Sequence, residues 1–170
     1  MIASGTYGQI YSDGDFKIKK TEITELESKN GGYFLETNLR EAVFLKKFSK
    51  HNNIISLQDI KINDNFFEVK LQDGGINLEQ LIKKTSFTNR IKKIPKFICQ
   101  IISGLFYLYK LKIAHCDLKP ANIVLQADEE GNEIIRIIDW GSVILNSKTQ
   151  TSVLCTENFA PLEIKKYELV

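Results

Sequence analysis

The sequence predicts a mixed α+β fold, because strand-like runs and amphipathic helices alternate along its 170 residues. The Asp13-Gly14 pair favours a tight hairpin between two strands. Leu35 to Phe48 has apolar residues at helical spacing, and Ile94 to Lys110 repeats the i, i+3, i+4, i+7 pattern more regularly. Short apolar runs that follow the second of these helices predict further strands.

The composition is typical of a globular domain, with 43% apolar and 26% charged residues. A net charge of +2 is too small to favour nucleic acid or an anionic membrane as a partner. Three cysteines without metal-ligand spacing are typical of a reducing compartment, so we expect a cytoplasmic or nuclear protein. Cys99 falls within the apolar pattern of the second helix and is expected to be buried.

Polar side chains are concentrated in the stretch H-C-D-L-K-P-A-N, which spans His115 to Asn122 between two apolar runs. Ionisable groups between buried strands are costly unless they share a task. Asp117 offers a carboxylate, Lys119 a cation and Asn122 a neutral oxygen suited to a hard metal ion. Asp139, in the run D-W-G, adds another carboxylate at the end of a later strand. These residues are therefore expected to share one functional site.

The two motifs resemble the catalytic loop and the metal-binding motif of eukaryotic-type serine/threonine protein kinases. The resemblance implies a single protein-kinase-like domain over residues 1–170, with two lobes. Residues 1–72 would form the N-lobe, which consists of a small antiparallel sheet and one helix. This lobe would lack part of its first strand. Residues 73–170 would form an incomplete, mostly helical C-lobe that ends just after the activation segment. The alternative from the residues alone is a buried structural histidine beside a surface Asp–Lys pair.

The same resemblance assigns a role to each polar residue of these motifs. Asp117 would orient the substrate hydroxyl and accept its proton, and Lys119 would neutralise charge on the γ-phosphate. Asn122 and Asp139 would bind Mg²⁺ through oxygen. Lysine at position 119, in the run D-L-K-P, resembles serine/threonine kinases more than tyrosine kinases.

Other matches to the family concern the nucleotide. The start of the chain resembles the kinase glycine-rich loop, with Ile10 at the residue that covers the adenine, although a plain β-turn is the alternative. Val124 would cover the opposite face of the adenine. The Lys70 carbonyl and the Gln72 amide would face its edge, beside Val69. The residues implied for the loop itself are Ser4, Gly5, Thr6, Tyr7 and Gly8.

Lys19 stands at the lysine that binds the α- and β-phosphates in kinases. Glu41 shares a helix face with Phe44 and Leu45, so its carboxylate is expected to point inward, where it needs a cation. The resemblance implies that Lys19 supplies that cation. The alternatives are an exposed lysine in a basic run and a glutamate at the edge of its helix.

Some positions depart from the family pattern. Lys17 stands where a small alanine normally packs against the adenine, and it would crowd that site or extend out of it. Cys116 replaces the arginine that pairs with a phosphorylated activation segment, which disfavours that kind of regulation. Trp140 replaces the usual phenylalanine and is expected beside His115 and Leu45.

The resemblance therefore implies a protein serine/threonine kinase that uses ATP and Mg²⁺ and acts on protein substrates. The alternative is a catalytically weak or inactive pseudokinase, or a nucleotide-binding scaffold, because the C-lobe is incomplete. A small-molecule phosphotransferase is disfavoured by the D-L-K-P-A-N spacing and by Thr156 to Glu163, which resembles the end of an activation segment. An apolar flank of the Ile94 helix is expected to need a missing segment or a partner. Neither nucleic acid nor a membrane is expected as a partner.

Overall fold

The computed structural model of the chain describes residues 3–5, 8–23, 31–145 and 155–160. The chain forms two compact units. The first contains residues 1–50 and 55–73, and the second contains residues 51–54 and 74–170. Antiparallel sheets and helices occur together, which confirms the predicted α+β class. The lobe boundary after residue 72 and the single domain stay predictions.

The first unit contains an antiparallel five-stranded sheet with the strand order β1-β2-β3-β5-β4. The hairpin between β2 and β3 turns at Gly14 and Asp15, one residue later than the Asp-Gly pair suggested, because Asp13 still pairs with Phe16. Gly14 has a φ of 58°, which glycine adopts without steric cost. The strands are β1 (Ala3–Gly5), β2 (Gly8–Asp13), β3 (Phe16–Glu22), β4 (Leu57–Ile62) and β5 (Phe66–Gln72).

Helix α1 (Gly31–Phe48) packs against β3, β4 and β5 of this sheet. It begins four residues before the predicted start at Leu35. Its extra residues form the first turn, where backbone N–H groups have no intrahelical partners in any case. The sheet meets the helix through alternate residues of β5, of which Phe67, Val69 and Leu71 are buried. These residues, with Phe44 and Leu45 of α1, belong to the buried apolar core.

The second unit combines helices with short strands. Strands β6, β8 and β9 form one antiparallel sheet, and β7 pairs with β10 in another. Helix α4 has the predicted bounds. The Asn77 side chain caps α2 by accepting a hydrogen bond from the Gln80 amide at 2.8 Å. The elements are β6 (Ile76–Asn77), α2 (Leu78–Lys84), α3 (Phe87–Ile91), α4 (Ile94–Lys110), β7 (Ile113–Ala114), β8 (Ile123–Ala127), β9 (Glu133–Ile137) and β10 (Ile144–Leu145), with 3₁₀ turns at Pro120–Asn122 and Glu157–Phe159.

The core of the second unit lies between α4 and the β6-β8-β9 sheet. Phe97 of α4 packs in one cluster with Ile123, Leu125 and Ile135 of the sheet. The prediction that Cys99 is buried was wrong, because this thiol is exposed. Two residues along a helix turn the side chain by about 200°, so Cys99 faces away from the side that carries Phe97.

One flank of α4 carries apolar side chains that the described part of the chain leaves exposed, which confirms the expected apolar flank. Ile102 and Phe106 are both more than half exposed. Among the described helices, none is both long and apolar enough to cross a membrane.

Candidate active site

The loop that carries the H-C-D-L-K-P-A-N motif lies between β7 and β8. The 3₁₀ turn at Pro120–Asn122 leads directly into β8, and β8 pairs with β9. Ile123 pairs with Ile137 at the end of β9, so the chain that leaves β9 toward Asp139 passes the start of β8. Sheet pairing therefore brings the two sequence motifs together within the second unit.

His115 joins these two segments. Its Nδ1 atom accepts a hydrogen bond from the Asp117 amide at 3.2 Å, so Nε2 carries the proton and donates to the Ile138 carbonyl at 2.9 Å. The imidazole also contacts Trp140 edge to face, with 4.5 Å between the ring centroids. The expected contact between Trp140 and His115 is confirmed, and the histidine ties the residues before Asp139 to the backbone of Asp117.

Asn122 makes a second connection between the same segments. Its side-chain amide donates to the Asp117 carbonyl at 2.9 Å and to the Asp117 carboxylate at 3.0 Å. Its backbone carbonyl accepts from the Ile138 amide at 3.0 Å. Because the side-chain NH₂ group is used in this way, the side-chain oxygen is the atom that Asn122 can offer to a hard cation.

Both oxygens of the Asp117 carboxylate accept hydrogen bonds, although the residue is only 6% exposed. Oδ2 accepts from Lys119 Nζ at 2.7 Å as well as from Asn122, and Oδ1 accepts from the Thr156 amide at 2.9 Å and the Thr156 hydroxyl at 2.6 Å. Burial alone would raise the pKa of this carboxyl group. The hydrogen bonds from Lys119 and Thr156 outweigh burial and hold the pKa below its ordinary value.

Thr156 is a site residue whose contact with Asp117 the sequence did not predict. Its hydroxyl lies 2.6 Å from Lys119 Nζ as well as 2.6 Å from Asp117 Oδ1. The available signal was its position at the head of the segment that resembles the end of a kinase activation segment. The rest of that match, Pro161, Leu162 and Glu163, lies outside the described residues.

Two residues of the predicted motifs, Asp139 and the residue before Asp117, have left-handed backbone conformations. Asp139 has a φ of 65° and Cys116 has a φ of 68°. This region is uncommon for residues other than glycine, and such residues concentrate at functional sites. Burial raises the pKa of the Cys116 thiol, with a smaller contribution from Cys155. Within the described part of the chain, no three His, Cys, Asp or Glu side chains cluster as a metal site.

The first unit holds the other predicted ion pair. Lys19 Nζ lies 2.6 Å from Glu41 Oε2, and the two side chains are 17% and 1% exposed. The structure therefore confirms that Glu41 points inward and that Lys19 is its cation. The alternatives of an exposed lysine and a glutamate at the helix edge do not hold.

The segment that resembles a glycine-rich loop forms a hairpin. Gly5 of β1 pairs with Gly8 of β2, and Ser4 pairs with Gln9. Thr6 and Tyr7 lie outside the described residues. Ile10 is half-buried in β2, and Val124 is buried in β8 of the second unit. The roles of all these residues toward a nucleotide stay predictions.

The prediction that the Gln72 amide faces the edge of the adenine was wrong, because this N–H group is already used within the first unit. The Gln72 N–H donates to the Ser56 carbonyl at 2.9 Å, and Gln72 pairs with Phe16 of β3. The reason is that β5 continues through Gln72 as a central strand, so the backbone of this residue is used in pairing with its neighbours. The role of the Lys70 carbonyl stays a prediction, and the Lys70 amine bonds to Asp13 at 2.6 Å.

Lys17 extends toward polar partners within the first unit. Its amine lies 2.9 Å from the Asp73 carboxylate and donates to the Ser12 hydroxyl at 2.6 Å. Of the two expectations for this lysine, the side chain therefore follows the one in which it extends outward with its charge partly solvated.

Comparison with known proteins places these features in a family. The family model of the protein kinase domain matches residues 2–168. A probable cell division protein kinase of Encephalitozoon cuniculi is 33% identical over 83% of this chain and 50% of its own length. Calcium-dependent protein kinase 5 of Plasmodium falciparum is 30% identical over 96% of this chain and 29% of its own length. Dual specificity tyrosine-phosphorylation-regulated kinase 2 of Drosophila melanogaster is 30% identical over 84% of this chain and 20% of its own length.

The chain thus spans half or less of the length of these curated relatives. The family match nevertheless covers nearly every residue of the chain, including both predicted motifs. This match, with the buried Asp117 loop and the Lys19–Glu41 pair, shows that the chain belongs to the protein kinase family.

Proposed function

We propose that this chain is an ATP-dependent protein kinase that phosphorylates serine and threonine hydroxyls of protein substrates. The environment of Asp117 carries the proposal. This carboxylate already accepts a hydrogen bond from a threonine hydroxyl, at 2.6 Å from Thr156, and a protein substrate would present the same chemical group. The lowered pKa keeps the carboxylate ionised at neutral pH, so it can orient a hydroxyl and accept its proton as the phosphoryl group transfers.

Lys119 would act beside Asp117. Its amine lies within 2.7 Å of the carboxylate and within 2.6 Å of the Thr156 hydroxyl. A cation this close to Asp117 could also approach the phosphoryl group, where it would offset negative charge in the transition state.

Asn122 and Asp139 fit a magnesium ion by the chemistry of their donors. Both offer oxygen, which Mg²⁺ prefers, and the ion commonly takes only one or two protein ligands while phosphate and water supply the rest. The bond between the Asn122 carbonyl and the Ile138 amide places Asn122 beside the residue that precedes Asp139. A bound Mg²⁺ would neutralise charge on the ATP phosphates.

Lys19 would bind the α- and β-phosphates, and Glu41 would hold its amine in place. The proposal also assigns the glycine hairpin (Ser4, Gly5, Thr6, Tyr7 and Gly8) to the phosphates. It assigns Ile10, Val124 and the Lys70 carbonyl to the adenine.

A transfer assay tests the proposal directly. The chain is incubated with γ-labelled ATP, Mg²⁺ and a mixture of basic and acidic test proteins, and the labelled products are hydrolysed to identify the phosphoamino acid. Asp117→Asn should lower the rate at least about 100-fold, as expected for loss of a group that acts on the proton. Asp64→Asn, which changes an exposed carboxylate in the turn between β4 and β5, is the matched control and should have no effect.

Two results would contradict the proposal. Label at the level of Asp117→Asn, together with nucleotide binding seen by thermal shift, would indicate a nucleotide-binding scaffold instead. Phosphotyrosine as the main product would contradict the serine/threonine preference.

A further inference from the structure

Lys17 lies on the face of the first unit's sheet that the proposed function assigns to the nucleotide. Successive side chains of a strand point to opposite faces, so Lys17 and Lys19 of β3 share one face. The register adds two residues of β2 to that face, because Ile10 pairs with Lys19 and Ser12 pairs with Lys17. A base that contacts Ile10 and a phosphate that contacts Lys19 would therefore lie beside the Lys17 side chain.

The Lys17 amine is held by two polar partners at one end of this face. It lies 2.9 Å from the Asp73 carboxylate and donates to the Ser12 hydroxyl at 2.6 Å. Asp73 is itself fixed, because its amide donates to the Asp15 carbonyl, in the turn between β2 and β3, at 2.8 Å. The Lys17 ammonium group is thus tied to the hairpin end of the sheet.

A lysine that is not held in this way would compete with the base for space. Its side chain is long and has many rotamers, so an unpaired ammonium group samples several positions. The Lys17 and Asp73 side chains are 31% and 24% exposed, so their ion pair is partly solvated and of modest strength. A modest tether still affects binding, because the apparent dissociation constant rises as the binding-competent fraction of the protein falls.

We propose, on the basis of the ATP binding proposed above, that Lys17 borders the base-binding surface and that Asp73 is a positioning residue. The Asp73 carboxylate would hold the lysine side chain out of the space that the base occupies. Simple charge attraction predicts the opposite effects, because removal of a carboxylate should favour the anionic ATP and removal of an ammonium group should disfavour it. The sign of the change in ATP affinity therefore separates positioning from charge attraction.

A nucleotide titration tests the proposal. A fluorescent methylanthraniloyl derivative of ATP is bound to the chain in the presence of Mg²⁺ and displaced with unlabelled ATP, which gives a dissociation constant for each variant. Asp73→Asn should weaken ATP binding about fivefold, the most that loss of a partly solvated ion pair commonly shifts an equilibrium. Lys17→Ala should bind ATP at least as tightly as wild type. The double variant Lys17→Ala/Asp73→Asn should bind like Lys17→Ala, because the carboxylate then has no lysine to hold.

The same strand provides a matched control. Lys20 pairs with Glu68 at 3.2 Å, and these side chains are 28% and 26% exposed, nearly as in the Lys17–Asp73 pair. Lys20 is three residues from Lys17, so it lies on the opposite face of the sheet. Lys20→Ala and Glu68→Gln remove the same charges and should leave the ATP affinity unchanged.

A purely structural role for Asp73 would give a different pattern. Partial unfolding would lower the melting temperature without nucleotide, and replacement of Lys17 would not restore ATP binding. The tether can also be measured without nucleotide, by mass spectrometry of the chain after brief treatment with an amine-reactive N-hydroxysuccinimide ester. Asp73→Asn should raise the rate at which Lys17 is modified and leave the rate at Lys20 unchanged.

Four results would overturn the proposal. Weaker ATP binding by Lys17→Ala would make this lysine a cation that attracts the phosphates. Unchanged or tighter binding by Asp73→Asn would show that the carboxylate does not keep the lysine away from the base. Equal losses in Asp73→Asn and in the double variant would show that Asp73 acts without Lys17. Absence of nucleotide binding in wild type and in every variant would refute the proposed function itself, and this role of Lys17 with it.

Discussion

Replacing Lys19 by methionine should destabilise the first unit far more than loss of an exposed lysine would. The Glu41 carboxylate is 1% exposed and lies 2.6 Å from the lysine amine. Methionine keeps the aliphatic part of the side chain but removes the charge, so the buried carboxylate loses its cation. Breaking a buried ion pair on one side commonly costs about 3–5 kcal/mol. Since Lys19 keeps 17% of its side chain exposed, water reaches part of the pair, and we expect a loss near the lower end, about 3 kcal/mol.

A double-mutant cycle separates the interaction from the loss of either side chain. Glu41→Met alone leaves an ammonium group that can still turn toward water, so it should cost less than Lys19→Met. The double variant Lys19→Met/Glu41→Met has no charge left to solvate, and an apolar pair of similar volume is often as stable as the ion pair. Its stability should therefore exceed that of Lys19→Met by about 1–3 kcal/mol.

Urea denaturation followed by circular dichroism gives the free energies of unfolding, and hydrogen exchange of the α1 amides reports on the first unit separately. Lys61→Met is the matched control, because that lysine side chain is 70% exposed, and it should change stability by less than about 0.5 kcal/mol. Equal losses for Lys19→Met and Lys61→Met, or strictly additive effects in the double variant, would refute the argument that the buried carboxylate depends on this cation.

Other parts of the structure lead to further predictions. Thr156→Val removes a 2.6 Å hydrogen bond to the Asp117 carboxylate, so the pKa of that carboxyl group should rise. The stability that the lowered pKa supplies is present above the unfolded-state value of 3.8 and is lost as pH falls through the folded-state value. Carboxyl NMR titration should show protonation of Asp117, and urea denaturation the loss of stability, beginning at a higher pH in the variant. Gly75→Ala should lower the melting temperature more than Gly14→Ala, because both have positive φ but only at Gly75 would the new methyl lie 2.4 Å from a backbone oxygen. Iodoacetamide at mildly alkaline pH should modify exposed Cys99 before Cys116, whose thiol has a raised pKa, and mass spectrometry of timed digests would detect the opposite order.

Local sequence patterns were sufficient for the features that depend on one element or one loop. The bounds of α4 follow from helical periodicity, which acts within a few residues. The inward direction of Glu41 follows from its spacing to Phe44 and Leu45 on the same helix face. The motif around Asp117 was visible because polar residues interrupt two apolar runs at a characteristic spacing.

Other features depended on segments that are distant along the chain. The Gln72 amide was expected to face the adenine, but β5 extends far enough for this N–H group to donate to the Ser56 carbonyl. Cys99 fits the apolar pattern of α4, yet only the position of the sheet decides which side of that helix is covered. No local pattern indicates that Thr156 returns to Asp117, which lies 39 positions earlier.

The amino-acid sequence by itself thus determined which residues could do chemistry and where the longest helices lie, because side-chain type and periodicity are local properties. The tertiary structure alone decided which donors surround the Asp117 carboxylate, which backbone amides are already used, and which side of α4 the sheet covers. These properties depend on which distant segments meet, and spacing along a single chain does not record that.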